Sequence, residues 1–219
     1  MLRALILKEL RESLPLVALA AALVAYSLTQ LWCIRLLSLF LIYDGAPNKV
    51  PFVEDNLWTA LVMIGWLLAV TLGVKQTHWE EVNGTYRYLL DRPIERRRIF
   101  MTKFVVGVAL VAGLMALMIL AHGLWAATPG HHPSPFYWSM TVPAWHAWFV
   151  LPVLYAAAFL SGIRPGRWFG TKLLPLAGGV LIATILTAQL WPWIALVGSA
   201  LFTSFYVSTA INVSQNRDY

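Results

Sequence analysis

Long apolar runs, separated by short polar stretches, organise this chain of 219 residues. A helix needs roughly 20 apolar residues to cross the hydrocarbon core of a bilayer. On that measure the pattern predicts six spans, at Leu14–Ile34, Leu57–Val74, Phe104–Ala127, Ala144–Ile163, Leu173–Leu190 and Trp193–Ile211. Only Trp191 and Pro192 separate the last two, which calls for a tight hairpin or a re-entrant turn. Ahead of the first span, residues 2–13 have the periodicity of an amphipathic helix. Leu2, Leu5, Ile6 and Leu10 cover one arc, and Arg3, Lys8, Arg11 and Glu12 the other. Such an interface helix would lie in the headgroup plane and turn into the first span near Pro15. Glu9 interrupts its apolar arc, and a carboxylate there needs a cationic partner or donors from another subunit. The same residues also suit a plain helix end whose long side chains snorkel into headgroups.

The polar stretches carry the orientation. With the N-terminus inside, the cytoplasmic side holds Arg3, Lys8, Arg11, seven basic residues between 75 and 103, Arg164, Arg167, Lys172 and Arg217. Only Arg35 and Lys49 fall outside, a fourteen-to-two bias that puts both termini in the cytoplasm. Tryptophans gather at the span ends, mostly on the outer side, as an interfacial belt.

Composition agrees with an all-α membrane protein in one domain. Hydrophobic residues make up 59% of the chain and charged residues 12%, with mean hydropathy +0.68. Soluble domains carry about 25% charged residues. The pI near 9.7 reflects topology and does not point to nucleic acid. The single cysteine, Cys33, excludes an internal disulfide. Acids within Met1–Ser13 and the length of the first run argue for a retained span over a cleaved leader. None of the six spans contains Asp or Glu, which weighs against a proton-driven carrier or an intramembrane aspartyl protease.

Residues 75–103 are a charged island. They hold seven of the sixteen Lys and Arg residues and four of the ten acids. Thr77 or His78 is expected to start a short helix, with Glu80 and Glu81 in its first turn, where acids suit the dipole. Val82, Tyr86, Leu89 and Leu90 supply an apolar face, Asn83-Gly84 weakens the middle, and Pro93 ends the element. Arg96, Arg97 and Arg98 then meet the inner headgroups. Two readings fit: a cytoplasmic helix that docks on another protein, or a connecting loop with topogenic arginines.

The run Gln76…Glu80-Glu81…Gly84-Thr85…Leu89-Leu90…Pro93…Arg96-Arg97-Arg98…Lys103 resembles the first cytoplasmic loop of ABC-2 type transporter permeases. In that family an acid precedes Gly-Thr, two leucines follow, then Pro, a basic residue, and a Lys opening the third span. Leu7-Lys8-Glu9-Leu10-Arg11-Glu12 is similar to the family's interface helix. The resemblance implies a permease subunit paired with a second permease chain, the same or homologous, in a bacterial inner membrane. It also implies a separate ABC ATPase subunit that binds ATP and magnesium. The first cytoplasmic loop would couple to that ATPase through Glu80, Glu81, Gly84, Thr85, Tyr86 and Leu89. Lys8, Glu9, Arg11 and Glu12 would belong to the interface helix, and Arg96–Arg98 to the membrane surface. The chain has no G-x-x-x-x-G-K-S/T of its own, so ATP hydrolysis is expected in the partner and no cofactor in this chain. The resemblance alone implies export, and the acid-free spans favour an amphiphilic or hydrophobic substrate over a metal ion.

An alternative reading uses the outer histidines, His122, His131, His132 and His146, as a metal or cofactor site in a membrane enzyme or assembly factor. No Cys, Asp or Glu in loop 128–143 completes such a site, so no metal is assigned.

Overall fold

The computed structural model describes residues 2–32, 50–82, 84, 95–130, 135–166, 171–189 and 191–216. Among them the regular elements are all helical. We number them α1 (Leu2–Leu31), α2 (Leu57–Val82), α3 (Arg96–Ala127), α4 (Val142–Ile163), α5 (Leu174–Thr187) and α6 (Pro192–Asn216). A 3-10 turn at Trp138–Thr141 leads into α4.

Local chemistry sets the helix starts. The Asp55 carboxylate accepts the backbone N–H groups of Leu57 (3.2 Å) and Phe52 (2.9 Å), capping the approach to α2. Proline stands in the first turn of α4 (Pro143), α5 (Pro175) and α6 (Pro192), where its missing N–H costs nothing. Pro15 and Pro152 instead lie inside α1 and α4.

The core sits around α4. This helix is apolar on every side and buried almost throughout from Val150 to Ile163, with α2, α3, α5 and α6 packed against it. Small residues bring the backbones together. A Cβ on Gly73 of α2 would lie 2.8 Å from the Tyr155 carbonyl oxygen and 2.9 Å from the Ala158 Cβ. One on Gly179 of α5 would overlap the Ala157 Cβ. Helix α1 packs outside this group, against α2 and α3. Leu19, Met63, Leu67, Leu117, Leu124, Leu181, Leu201 and Phe205 face outward, an apolar coat that suits lipid.

Contacts fix the directions. Helices α1 and α3 run parallel, joined by Glu9–Lys103 near their starts and by the stacked Trp32 and Trp125 rings, 6.3 Å apart, near their ends. Helix α2 runs with α4, since Gly65 meets Leu151 and Gly162 meets Thr77. Helix α5 runs against α4, pairing Leu176 with Ser161 and Leu186 with His146. Successive helices therefore alternate in direction. Every described Lys and Arg lies at one end of the bundle, called here the basic end.

Five of the helices are long and apolar enough to cross a membrane, the mark of a membrane-integral protein. Three sequence expectations change. Helix α5, within the predicted span Leu173–Leu190, has 14 residues. At 1.5 Å per residue it extends about 21 Å, short of the roughly 30 Å hydrocarbon core. Residues 2–13 are not a separate interface helix: they are the first turns of the 30-residue α1, which continues through Pro15. Nor does a new helix start at Thr77 or His78, because α2 runs without interruption from Leu57 to Val82. In both cases the backbone N–H groups after the expected break already have partners inside a growing helix, so continuation leaves fewer polar groups unsatisfied.

Candidate functional site at the basic end

The basic end holds a buried polar layer. On α1 the inward stripe is Leu5, Glu9 and Ser13, four residues apart; on α3 it is Ile99, Lys103, Val106 and Gly107. The two stripes meet in an ion pair. Lys103 Nζ donates to Glu9 Oε1 at 2.6 Å, with the side chains 0% and 1% exposed. Two unpaired charges could not be held there, because each alone would carry the full cost of losing water. Glu9 thus has its cationic partner within the chain, and the apolar arc drawn for residues 2–13 is split: Leu5 is buried beside Glu9, while Ile6 and Leu10 are not. Ile6, Leu7, Leu10 and Leu14 point outward instead.

One turn beyond Lys103, Gly107 makes room for a second pair. Tyr155 of α4 donates its hydroxyl hydrogen to the Gln76 side-chain oxygen of α2, and a Cβ on Gly107 would overlap that hydroxyl. Thr77 follows, fully buried, its hydroxyl bonded to the Gly73 carbonyl at 3.1 Å and lodged where Gly162 has no side chain. Lys75 donates to the Glu12 backbone oxygen at 2.6 Å. Lys172, also buried, lies 3.5 Å from His78 Nδ1, and the Leu176 N–H donates to Ser161 Oγ at 3.0 Å. The layer therefore links α1, α2, α3 and α4 and the start of α5.

The predicted site residues stand around this layer. Glu80 and Glu81 are in the last turn of α2. Gly84, just past that helix, has φ 65° and open space around it. Its role is that of a helix-ending residue in the left-handed conformation. Thr85, Tyr86 and Leu89 lie outside the described residues. Arg96, Arg97 and Arg98 are exposed in the first turn of α3, and Arg98 Nε pairs with Glu95 at 3.0 Å. Three cations at a helix N-terminus oppose the dipole, so they do not stabilise α3 through it. Lys8 pairs with Glu12 at 3.6 Å, and Arg11 is exposed. Thus only the first and last thirds of the charged island are described, and both are helical stems built into the bundle.

The resemblance run included Gln76 and Lys103, and Thr77 was a candidate helix start, but the sequence placed none of them, nor Lys172 or Tyr155, in a buried cross-helix layer. A signal existed for Lys103: the interruption of the arc at Glu9 demanded a cation, and α3 opens with one on its inward stripe. Tyr155 carried none, since a tyrosine in an apolar run reads as core.

The outer histidines divide. His122 Nε2 lies 2.7 Å from Asp55 Oδ2, its ring between Phe52 (centroids 4.8 Å) and Trp125 (5.4 Å). Phe52 has φ 64°, a strained conformation for a non-glycine residue, and its ring enters the core there. His146 Nε2 lies 3.0 Å from the Leu186 carbonyl oxygen at the end of α5. Each described histidine of the proposed set is thus tied to a different partner; His131 and His132 lie outside the described residues.

No protein-family model matches the chain, and no curated protein matches it.

Proposed function

We propose that the chain is the membrane-spanning permease subunit of an ATP-binding cassette transporter, powered by a separate ATPase subunit. The reading rests on one observation, the run from Gln76 to Lys103 that resembles the coupling loop of ABC-2 permeases. In this reading the basic end is cytoplasmic, both termini lie there, and α5 with its flanking residues is a short fifth span of six. The permease pairs with a second copy or a homologue and exports an amphiphilic or hydrophobic compound.

The geometry supports the reading in physical terms. Two helical stems, the end of α2 and the start of α3, bound residues 83–94, and the buried polar layer ties both stems to the body of the bundle. A force that reaches either stem would pass into the spans through these ties. Glu80 and Glu81 offer charge for cations on the ATPase, and Trp79 (59% exposed) and Val82 offer an apolar surface beside them.

Affinity capture of the tagged chain from its native membrane tests the proposal. An ATPase subunit carrying a phosphate-binding loop should be recovered with it, and Glu80→Lys with Glu81→Lys should lose that subunit. Recovery without any ATPase would reject the reading.

A further inference from the structure

We propose that residues 2–14 are a hinged arm, latched across the two stems that bound residues 83–94, and that the Glu9–Lys103 pair is the latch. The two halves of α1 are held to the bundle by different forces. Beyond Pro15 the inward stripe is Ala20, Val24 and Leu28, all part of the main hydrophobic core. Before it the buried residues are Leu5, Glu9 and Ser13, and Leu5 packs with Ile99 in a small cluster separate from that core. The apolar side chains of the arm, Leu7 (66% exposed) and Leu14 (63%) among them, face away from the bundle. They meet the same apolar surroundings whether the arm is docked or swung out. Docking of the arm is therefore decided by polar contacts, while docking of the rest of α1 is decided by apolar burial.

The hinge and the second fastening lie side by side. Pro15 has no N–H, so the Arg11 carbonyl lacks its usual helical partner and the helix is weakened at that turn. The next carbonyl, on Glu12, accepts Lys75 Nζ at 2.6 Å. The Lys75 bond thus ties the arm to the α2 stem beside the hinge, and the ion pair at 2.6 Å ties it to the α3 stem. Segments held by few buried apolar contacts open at low free energy. A buried ion pair adds little net stability over an apolar pair but a strong penalty for mispairing, which suits a two-position element.

The latch stands apart from the transporter reading and is tested without a substrate or an ATPase. Amide hydrogen exchange of the full chain in lipid nanodiscs, read by mass spectrometry, resolves α1 on either side of Pro15. Lys103→Gln should speed exchange in residues 3–13 by about tenfold and leave residues 18–30 unchanged. The exchanged pair, Glu9→Lys with Lys103→Glu, should restore protection. The apolar pair, Glu9→Leu with Lys103→Met, removes the polar latch without leaving a charge behind, so it should also speed exchange in residues 3–13, and it supplies the answer if Lys103→Gln does not fold. Equal acceleration on both sides of Pro15, or full protection of residues 3–13 kept in the apolar pair, would overturn the latch.

Discussion

Lys103 is the residue on which the basic end turns. Lys103→Ala removes the ion-pair partner of Glu9, and because the arm can swing out and relieve the buried carboxylate, global stability should fall by less than the roughly 3–5 kcal/mol of a rigidly buried pair. Denaturant unfolding in detergent should show that loss. Replacing both partners with Leu and Met should come out neutral or stabilising. Gly107 offers a second test at the same scale. Gly107→Ala places a methyl where the Tyr155 hydroxyl lies, an overpacking expected to cost about 1–3 kcal/mol. Gly113, six residues along the same helix, has nothing within 4 Å of an added Cβ. Gly113→Ala should therefore stabilise by up to about 1 kcal/mol through helix propensity alone. Thermal unfolding of the two variants side by side checks both signs.

At the scale of elements, helix ends decide what the connection between α2 and α3 can do. Gly84 holds φ 65° just past α2, a conformation that costs any residue with a Cβ about 1 kcal/mol. Gly84→Ala should loosen the end of α2 and speed amide exchange at residues 80–82, while exchange at residues 60–72 stays as it was. The helical elements themselves were legible because each is a long apolar run, and hydropathy reads such runs well. Their junctions were not. Residues 2–13 and 75–82 look polar enough to be separate pieces, yet each continues a span, since helix propagation is cheap once a long helix is nucleated. Which face of each helix is buried was hidden for a related reason. In lipid both faces are apolar, so Leu7 and Leu14 point outward while Glu9 points in, the reverse of a soluble helix. Gly73, Gly107, Gly162 and Gly179 mark the close approaches better than the large side chains do, but only once the partner helices are known. The candidate site was half legible: the charged island was visible as a cluster, whereas the cross-helix pairing of Gln76 with Tyr155 depends on packing that no local pattern encodes.

For the whole molecule, a bundle centred on α4 carries a polar layer at its basic end, beside the two stems that bound residues 83–94. That layer is a mechanical link in the proposed transporter, so changes within it should separate two activities. Lys103→Gln should leave ATPase recovery intact, because residues 80–90 still dock, while reducing stimulation of ATP hydrolysis by the assembled permease. The most direct test of the central claim is contact between the α2–α3 connection and an ATPase in the native membrane. A photoreactive amino acid at Tyr86, compared with one at Trp138 on the far end of the bundle, gives that measurement. The account predicts a cross-link from position 86 to an ATP-hydrolysing subunit and none from position 138. Adducts from position 86 to lipid alone, in membranes where the chain is folded and active, would contradict it.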